Sequence, residues 1–215
     1  MKGYPIVLVH LDRARCLVVG GGVVAARKVA GLQAVDARIT VISPDLCPDL
    51  QDLATRGEID IVRRAYQEGD LEGAFLVIAA TDDPVVNQQI WEEAQARNIL
   101  VNVVDNPDCC TFIAPAVARR GSLTLAISTA GRSPALARHL RQRLEQEFGP
   151  PYGPFVELLG ELRARTLAEL PLPRHQAFWD QIFRSDVLDL LASGDDAGAR
   201  RCAENILAAH LSGDV

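Results

Sequence analysis

Several short stretches carry residue types whose spacing could do chemistry, and the first is Val18-Val19-Gly20-Gly21-Gly22-Val23-Val24-Ala25, a G-x-G-x-x-A pattern. Set between a strand and a helix, such a pattern makes a dinucleotide turn. Gly20 permits the tight bend, Gly22 lets the main chain approach a pyrophosphate, and Ala25 keeps the helix close to the sheet. The amides of Gly22, Val23 and Val24 then point along a helix N-terminus toward the anion. A glycine-rich turn with no ligand is the plainer alternative, and the strand-then-helix context favours the dinucleotide.

Two more loops fit the same reading. The apolar run Thr40-Val41-Ile42 ends at Ser43-Pro44-Asp45, with no acid at the strand end itself. An NAD-specific site commonly places one there to hold a ribose, so Asp45, slightly further on, is the candidate. The run Ala79-Ala80-Thr81-Asp82-Asp83-Pro84 offers small residues that let a cofactor pass close to the main chain, and a Thr81 hydroxyl to bond it. Asp82 or Asp83 ahead of Pro84 also reads as a helix cap.

Proton chemistry points to Asp105, delivered by Val101-Asn102-Val103-Val104 to the edge of the sheet where the glycine turn lies. A carboxylate there can exchange a proton beside a nicotinamide. Equally, Asp105 opens an Asx-type turn completed by Asn106-Pro107. Downstream, Ser128-Thr129-Ala130-Gly131-Arg132-Ser133-Pro134 joins a strand to a helix with hydroxyls, a glycine and an arginine, the makings of a carboxylate receptor. Ser133 before Pro134 is also the expected N-cap. From Cys109 to Leu144 there is no Asp or Glu, whereas Arg119, Arg120, Arg132, Arg138, Arg141 and Arg143 all fall there. This local cationic zone suits a small polyanion, although Arg138 and Arg141 also fit a solvated helix face. Cys109-Cys110 has no suitably spaced partner for a metal, and no metal site is expected. His10, His139, His175 and His210 lack partners in sequence and read as surface or packing residues.

These residues need elements to position them. Strands are expected at Pro5–Leu11, Arg15–Val19, Arg38–Ser43, Ile59–Arg63, Phe75–Ala79 and Leu100–Val104, with helices at Val23–Ala34 and Val85–Arg97. Alternating strand and helix implies a parallel sheet covered on both faces. After Asn106-Pro107 the pattern becomes strand (Phe112–Val117), strand (Leu123–Ser128), helix (Pro134–Phe148), a unit too small to bury a core alone, so that it should pair with a second copy or a neighbouring domain. Gly149-Pro150-Pro151-Tyr152-Gly153-Pro154 reads as a break. Beyond it, Phe155, Leu158, Leu159 and Leu162, then Phe178, Trp179, Ile182 and Phe183, fall at helix spacing. The last residues, Ser212–Val215, should fray. The domain reading is therefore residues 1–111, 112–149 and 150–215.

Composition excludes some classes. A net charge of −6 disfavours a general nucleic-acid binder. No apolar run approaches the roughly 18 residues that span a bilayer, so no membrane partner is expected. The first residues lead into a strand-like run with no signal-peptide pattern, and the five cysteines include no CxxC pair. Reduced thiols and a cytoplasmic location follow as expectations.

In combination and in order, Tyr4-Pro5-Ile6, the glycine turn with Ala25 and Arg27-Lys28, Ala79 to Asp83 with Val86-Asn87, Asn102 to Asp105, Ser128 to Pro134, and Phe178-Trp179 resemble the precorrin-2 dehydrogenase and sirohydrochlorin ferrochelatase family, including the N-terminal half of sirohaem synthases. The resemblance runs along almost the whole chain. It implies an α/β fold with an N-terminal Rossmann-like parallel sheet, a small α+β dimerisation segment and a C-terminal helical domain. It also implies an intertwined homodimer, NAD as hydride acceptor, precorrin-2 and sirohydrochlorin as ligands, and activity that depends on the aspartate matching Asp105. The family often has serine where this chain has Thr129. A methyltransferase half has no counterpart here, so substrate is expected from a separate enzyme. Three functions stay open on sequence: dehydrogenation alone, dehydrogenation with iron or cobalt insertion, and a non-enzymatic NAD-sensing module.

Overall fold

Short runs rich in valine and isoleucine, too brief for helices, form the strands of one sheet. In the computed structural model, which describes residues 3–213, β1 (Arg15–Val19), β2 (Arg38–Ile42), β3 (Asp60–Val62), β4 (Leu76–Ala79) and β5 (Leu100–Val103) pair in parallel in the order β3-β2-β1-β4-β5. The order reverses beside β1, and a crevice opens at the carboxyl ends of strands at such a reversal. Side chains alternate across the sheet. Cys16 and Val18 pack with Ala25, Val29 and Leu32 of α1 (Val23–Gln33), while Leu17 and Val19 pack with Ile90 and Ala94 of α3 (Pro84–Arg97). Each such fully buried aliphatic side chain contributes about 1.5–3 kcal/mol.

The helix starts follow local chemistry. Asp83 caps α3, its Oδ1 accepting from the amides of Val85 at 2.8 Å and Val86 at 3.3 Å, with Pro84 first in the helix. Asn98 ends it in the left-handed region, at φ 56°.

Several expectations are corrected. Pro5–Leu11 forms no strand: Tyr4 and Val7 are 88% and 81% exposed, and the chain enters the core at Leu11, in a 3₁₀ turn. Both sides of β1, the next strand along, are already taken by β2 and β4. An unexpected helix, α2 (Pro48–Thr55), follows β2 and buries Leu50. The strand expected at Phe112–Val117 begins only at Ala116, because Thr111 and Phe112 fold back on β5, both amides donating to the Val101 carbonyl.

The chain divides into two units, 1–114 and 115–215. In the second, β6 (Ala116–Arg120) and β7 (Leu123–Ile127) form an antiparallel hairpin turned at Gly121, φ +54°, and α4 (Pro134–Glu147) packs on it. Among the described residues of this stretch, Ala118 and Ala137 are the fully buried apolar side chains, a core too small to stand alone. The helices α5 (Tyr152–Glu169), α6 (His175–Arg184), α7 (Val187–Ala192) and α8 (Asp196–Ser212) gather around Phe155, Leu158, Leu162, Phe178, Ile182 and Leu207. The expected break at Gly149–Pro154 is shorter than read, since Gly153 and Pro154 are already in α5. Phe183, expected on an apolar face, is 62% exposed. Helix α8 stays regular to Ser212 and Gly213 closes it at φ +87°. Asp214 and Val215 of the expected frayed end, and Met1 and Lys2 at the other, lie outside the described residues. No helix among the described residues is long and apolar enough to cross a membrane.

Candidate functional site

Leaving β1 at Val19, the chain has to reach α1 within a few residues, and each glycine solves a different steric problem. Gly20 sits at φ +121°, and a Cβ there would lie 2.3 Å from the Ala80 carbonyl oxygen. At Gly21 a Cβ would lie 1.8 Å from the Asp45 carbonyl oxygen and 2.6 Å from Ser43 Oγ. The same approach lets the Cys47 amide donate to the Gly21 carbonyl at 2.7 Å. Gly22 is different: nothing lies within 4 Å of its Cβ position. It is the N-cap of α1, and no side chain caps that helix. The amides of Gly22, Val23 and Val24 have no acceptor among the described residues and are free for an anion.

That turn forms one wall of a cavity of about 680 Å³ at the carboxyl edge of the sheet. The structure brings together here Gly20, Gly22, Val23 and Val24 of the turn, Ser43, Pro44 and Asp45 after β2, and Ala80, Thr81 and Asp82 after β4. The cavity lining includes Asp45, Asp82 and Asp83 but no lysine or arginine. The Thr81 hydroxyl, expected to bond a ligand, and that of Ser43 are both engaged in their own loops. Ser43 Oγ donates to the Asp45 carbonyl at 2.7 Å, and Thr81 Oγ1 lies 2.9 Å from Asn87 Oδ1 and 3.1 Å from the Asp83 carbonyl. What these residues offer the cavity is therefore main chain and small side chains.

Lining residues that the sequence did not single out include Gly21 in its steric role and Tyr66. Tyr66 sits in the loop between β3 and β4, where no periodicity marks it. Its hydroxyl donates to Glu93 of α3, which also accepts from the Gly69 amide at 3.0 Å and pairs with Arg97 at 2.9 Å. Burial, then the bond to Glu93, pushes the Tyr66 phenol well above its usual range, so it stays a donor. The ring is thus pinned against the cavity.

Asp105 follows β5, at the same edge of the sheet but outside the cavity lining. It is exposed and left-handed, at φ +59°, in a turn closed by the Asn106 amide donating to the Val103 carbonyl at 3.2 Å. The half-buried Lys28 of α1 lies within its field. Burial and the neighbouring Arg27 lower the Lys28 ammonium, against the opposing pull of Asp105 and Cys110.

In the second unit, the loop after β7 satisfies much of itself. Ser128 Oγ accepts from the Ala130 amide at 3.2 Å, Thr129 Oγ1 from the Ser133 amide at 3.1 Å, and Ser133 Oγ caps α4 through the Leu136 amide at 3.2 Å. Ala130 and Gly131 are both left-handed, at φ 51° and 77°. Arg120 is committed to main chain, donating to the Glu145 carbonyl at 2.7 Å and the Arg119 carbonyl at 2.8 Å. Arg141 pairs with Glu145, whereas Arg119, Arg132 and Arg138 make no ion pair among the described residues.

Comparison with known proteins gives the site its context. Residues 7–116 match the model of a putative NAD(P)-binding family, residues 120–147 that of the sirohaem biosynthesis protein central region, and residues 151–207 that of the sirohaem synthase dimerisation region. By the first of these models, which spans just over half of its length, the chain belongs to the putative NAD(P)-binding family. Its relatives include the siroheme synthases of Thioalkalivibrio sulfidiphilus, 41% identical over 96% of this chain and 42% of that protein, and of Methylobacillus flagellatus, 40% identical over 96% of this chain and 44% of that protein. The chain thus spans less than half the length of the curated relatives it matches. Among solved structures, SirC, a precorrin-2 dehydrogenase, superposes with a TM-score of 0.74 at 27% identity, over 95% of this chain and 100% of that one. In this family context, the glycine turn of the NAD(P)-binding segment is the one whose Gly22 side stands open.

Proposed function

We propose that this chain binds NAD and uses it to dehydrogenate precorrin-2 to sirohydrochlorin in sirohaem biosynthesis. The observation that carries the reading is the uncapped start of α1: free amides beside a glycine with open space before it, inside a cavity at the carboxyl edge of a parallel sheet. The family models along the chain and the likeness to SirC supply the substrate class. The residues present fit the dinucleotide. The turn at Gly20–Val24 would take the pyrophosphate, Ser43–Asp45 the adenosine ribose, and Ala80–Asp82 the chain's close approach to the cofactor. A carboxylate at Asp45 and a lining without cations favour a free ribose hydroxyl over a phosphorylated one. When bound, NAD supplies a hydride acceptor.

The protein's own groups do the rest. Asp105 takes the proton that accompanies hydride loss. The substrate's carboxylates are received by Arg119, Arg132 and Arg138 with Ser128, Thr129, Gly131 and Ser133, hydroxyls and guanidinium groups being their natural partners. Arg120, held by two carbonyls, supports this set by fixing the hairpin to α4. We assign residues 1–111 to cofactor binding, 112–149 to dimerisation and substrate contact, and 150–215 to a helical domain. A homodimer is supported by the matched dimerisation region and by the small core of the hairpin and α4. A cytoplasmic location is supported by five free thiols.

The test is an anaerobic assay with precorrin-2 and NAD, read as NADH and sirohydrochlorin formation. Asp105→Ala should fold, bind NAD and yield no sirohydrochlorin; near-normal turnover would remove the catalytic assignment. A wild-type protein that binds NAD yet ignores the tetrapyrrole would favour the sensing module. Ferrous or cobaltous ion added afterwards reports metal insertion in the same cuvette.

A further inference from the structure

We infer that the Cys110 thiol is the positioning group for Asp105, holding the turn that presents its carboxylate; the inference rests on the role proposed above for Asp105. The turn needs a holder. Asp105 is left-handed at φ +59°, a conformation that aspartate tolerates better than most residues with a Cβ but that still costs more than an extended one. The turn is closed by the Asn106 amide donating to the Val103 carbonyl. It is tied at its ends by the Val104 amide on the Ala79 carbonyl at 2.9 Å and the Cys109 amide on the Asn106 carbonyl at 3.1 Å, while the carboxylate itself is exposed.

What surrounds the turn is the returning chain. After a 3₁₀ turn at Pro107–Cys109, Cys110 makes an antiparallel bridge to Asn102 of β5. Its Sγ lies 3.3 Å from the Val103 carbonyl and 3.2 Å from the Asn106 carbonyl, the main-chain acceptors at the two ends of the turn. One S–H shared between them ties both ends to a fixed point. That point is anchored in its turn. Asn102, 7% exposed, donates from Nδ2 to Cys110 Sγ at 3.5 Å and to the Phe112 carbonyl at 3.0 Å. The sulfur therefore accepts from a buried amide on one side and donates around Asp105 on the other. Burial, the largest influence on this thiol, pushes it up and keeps it protonated, as a donor must be.

A thiol that merely filled space would be replaceable by any side chain of its size. The positioning role demands a donor. Cys110→Val keeps the approximate volume and removes the donor; Cys110→Ser restores one. With the full-length protein, Cys110→Val should lower kcat about tenfold and leave the dissociation constant and KM for NAD unchanged, with Cys110→Ser recovering most of the loss. Wild-type kcat in Cys110→Val, with Asp105→Ala inactive, would overturn the inference and leave the role of Asp105 intact. Near-normal turnover in Asp105→Ala would instead remove the reading it rests on. If the valine variant fails to fold, Cys110→Ala against Cys110→Ser carries the same comparison.

Discussion

Replacing Gly22 by aspartate should raise the stability of the cofactor-free protein while abolishing cofactor binding. Position 22 has φ −82° and ψ −176°, an extended N-cap geometry that aspartate adopts freely, and no atom lies within 4 Å of the added Cβ. Helix α1 has no side-chain cap and no acid in its first turn. A carboxylate at the N-cap would accept from those free amides, worth a few tenths of a kcal/mol over glycine, and its interaction with the helix dipole adds about 0.3–1 kcal/mol. A gain of about 1 kcal/mol raises Tm by roughly 2–4 °C in a protein of this size. The same carboxylate would stand at the position proposed above for the pyrophosphate. Two like charges about 4 Å apart at an effective dielectric of about 20 repel by about 4 kcal/mol, close to a thousandfold in affinity. Thermal melts without cofactor and a fluorescence titration with NADH measure the two effects separately. Unchanged NADH affinity would show that the pyrophosphate does not sit at this turn, and a fall in Tm would show that position 22 is not open.

The neighbouring glycine should behave in the opposite way. Gly21→Ala forces a Cβ against the Asp45 main chain, so denaturant melts should show a loss on the order of 2–3 kcal/mol; a loss below about 0.5 kcal/mol would mean that the loop after β2 yields freely. Tyr66→Phe should keep NADH affinity near wild type but lower stability by about 1–2 kcal/mol, as Glu93 loses its phenol donor. Tyr66→Ala should weaken NADH binding several-fold, and equal affinity across all three proteins would show that the ring does not touch the cofactor.

The sheet was legible because its signals are local and redundant. Leu17, Val18 and Val19 read as a strand buried on both faces, Asp83-Pro84 announced α3, and the glycine spacing located the turn from β1 into α1. Failures arose where the deciding partner is distant in sequence. Pro5–Leu11 has strand-like composition but pairs with no strand, and β1, the next along the chain, is already flanked by β2 and β4. Helix α2 was missed because its sequence, PDLQDLAT, buries a single leucine and shows too short an apolar stripe. The start of β6 was misplaced because Thr111 and Phe112 bond to Val101, ten or more positions back. Within the site, the three loops were readable from small residues and turn chemistry. The task of Ser43 and Thr81, which hold their own loops, was hidden, and so was Tyr66, whose place depends on Glu93 in another element.

The contact between Gly21 and the Asp45 carbonyl also bears on how coenzyme choice could be re-engineered. Because the two backbones interlock there, and the Cys47 amide fastens them again at 2.7 Å, the path of the 43–47 loop is fixed by the glycine turn itself. Lengthening or grafting that loop would disturb the very bend it leans on. Side-chain exchange at the exposed positions Pro44 and Asp45 leaves the interlock alone, and it is there that selection for a phosphorylated nucleotide would have room to work.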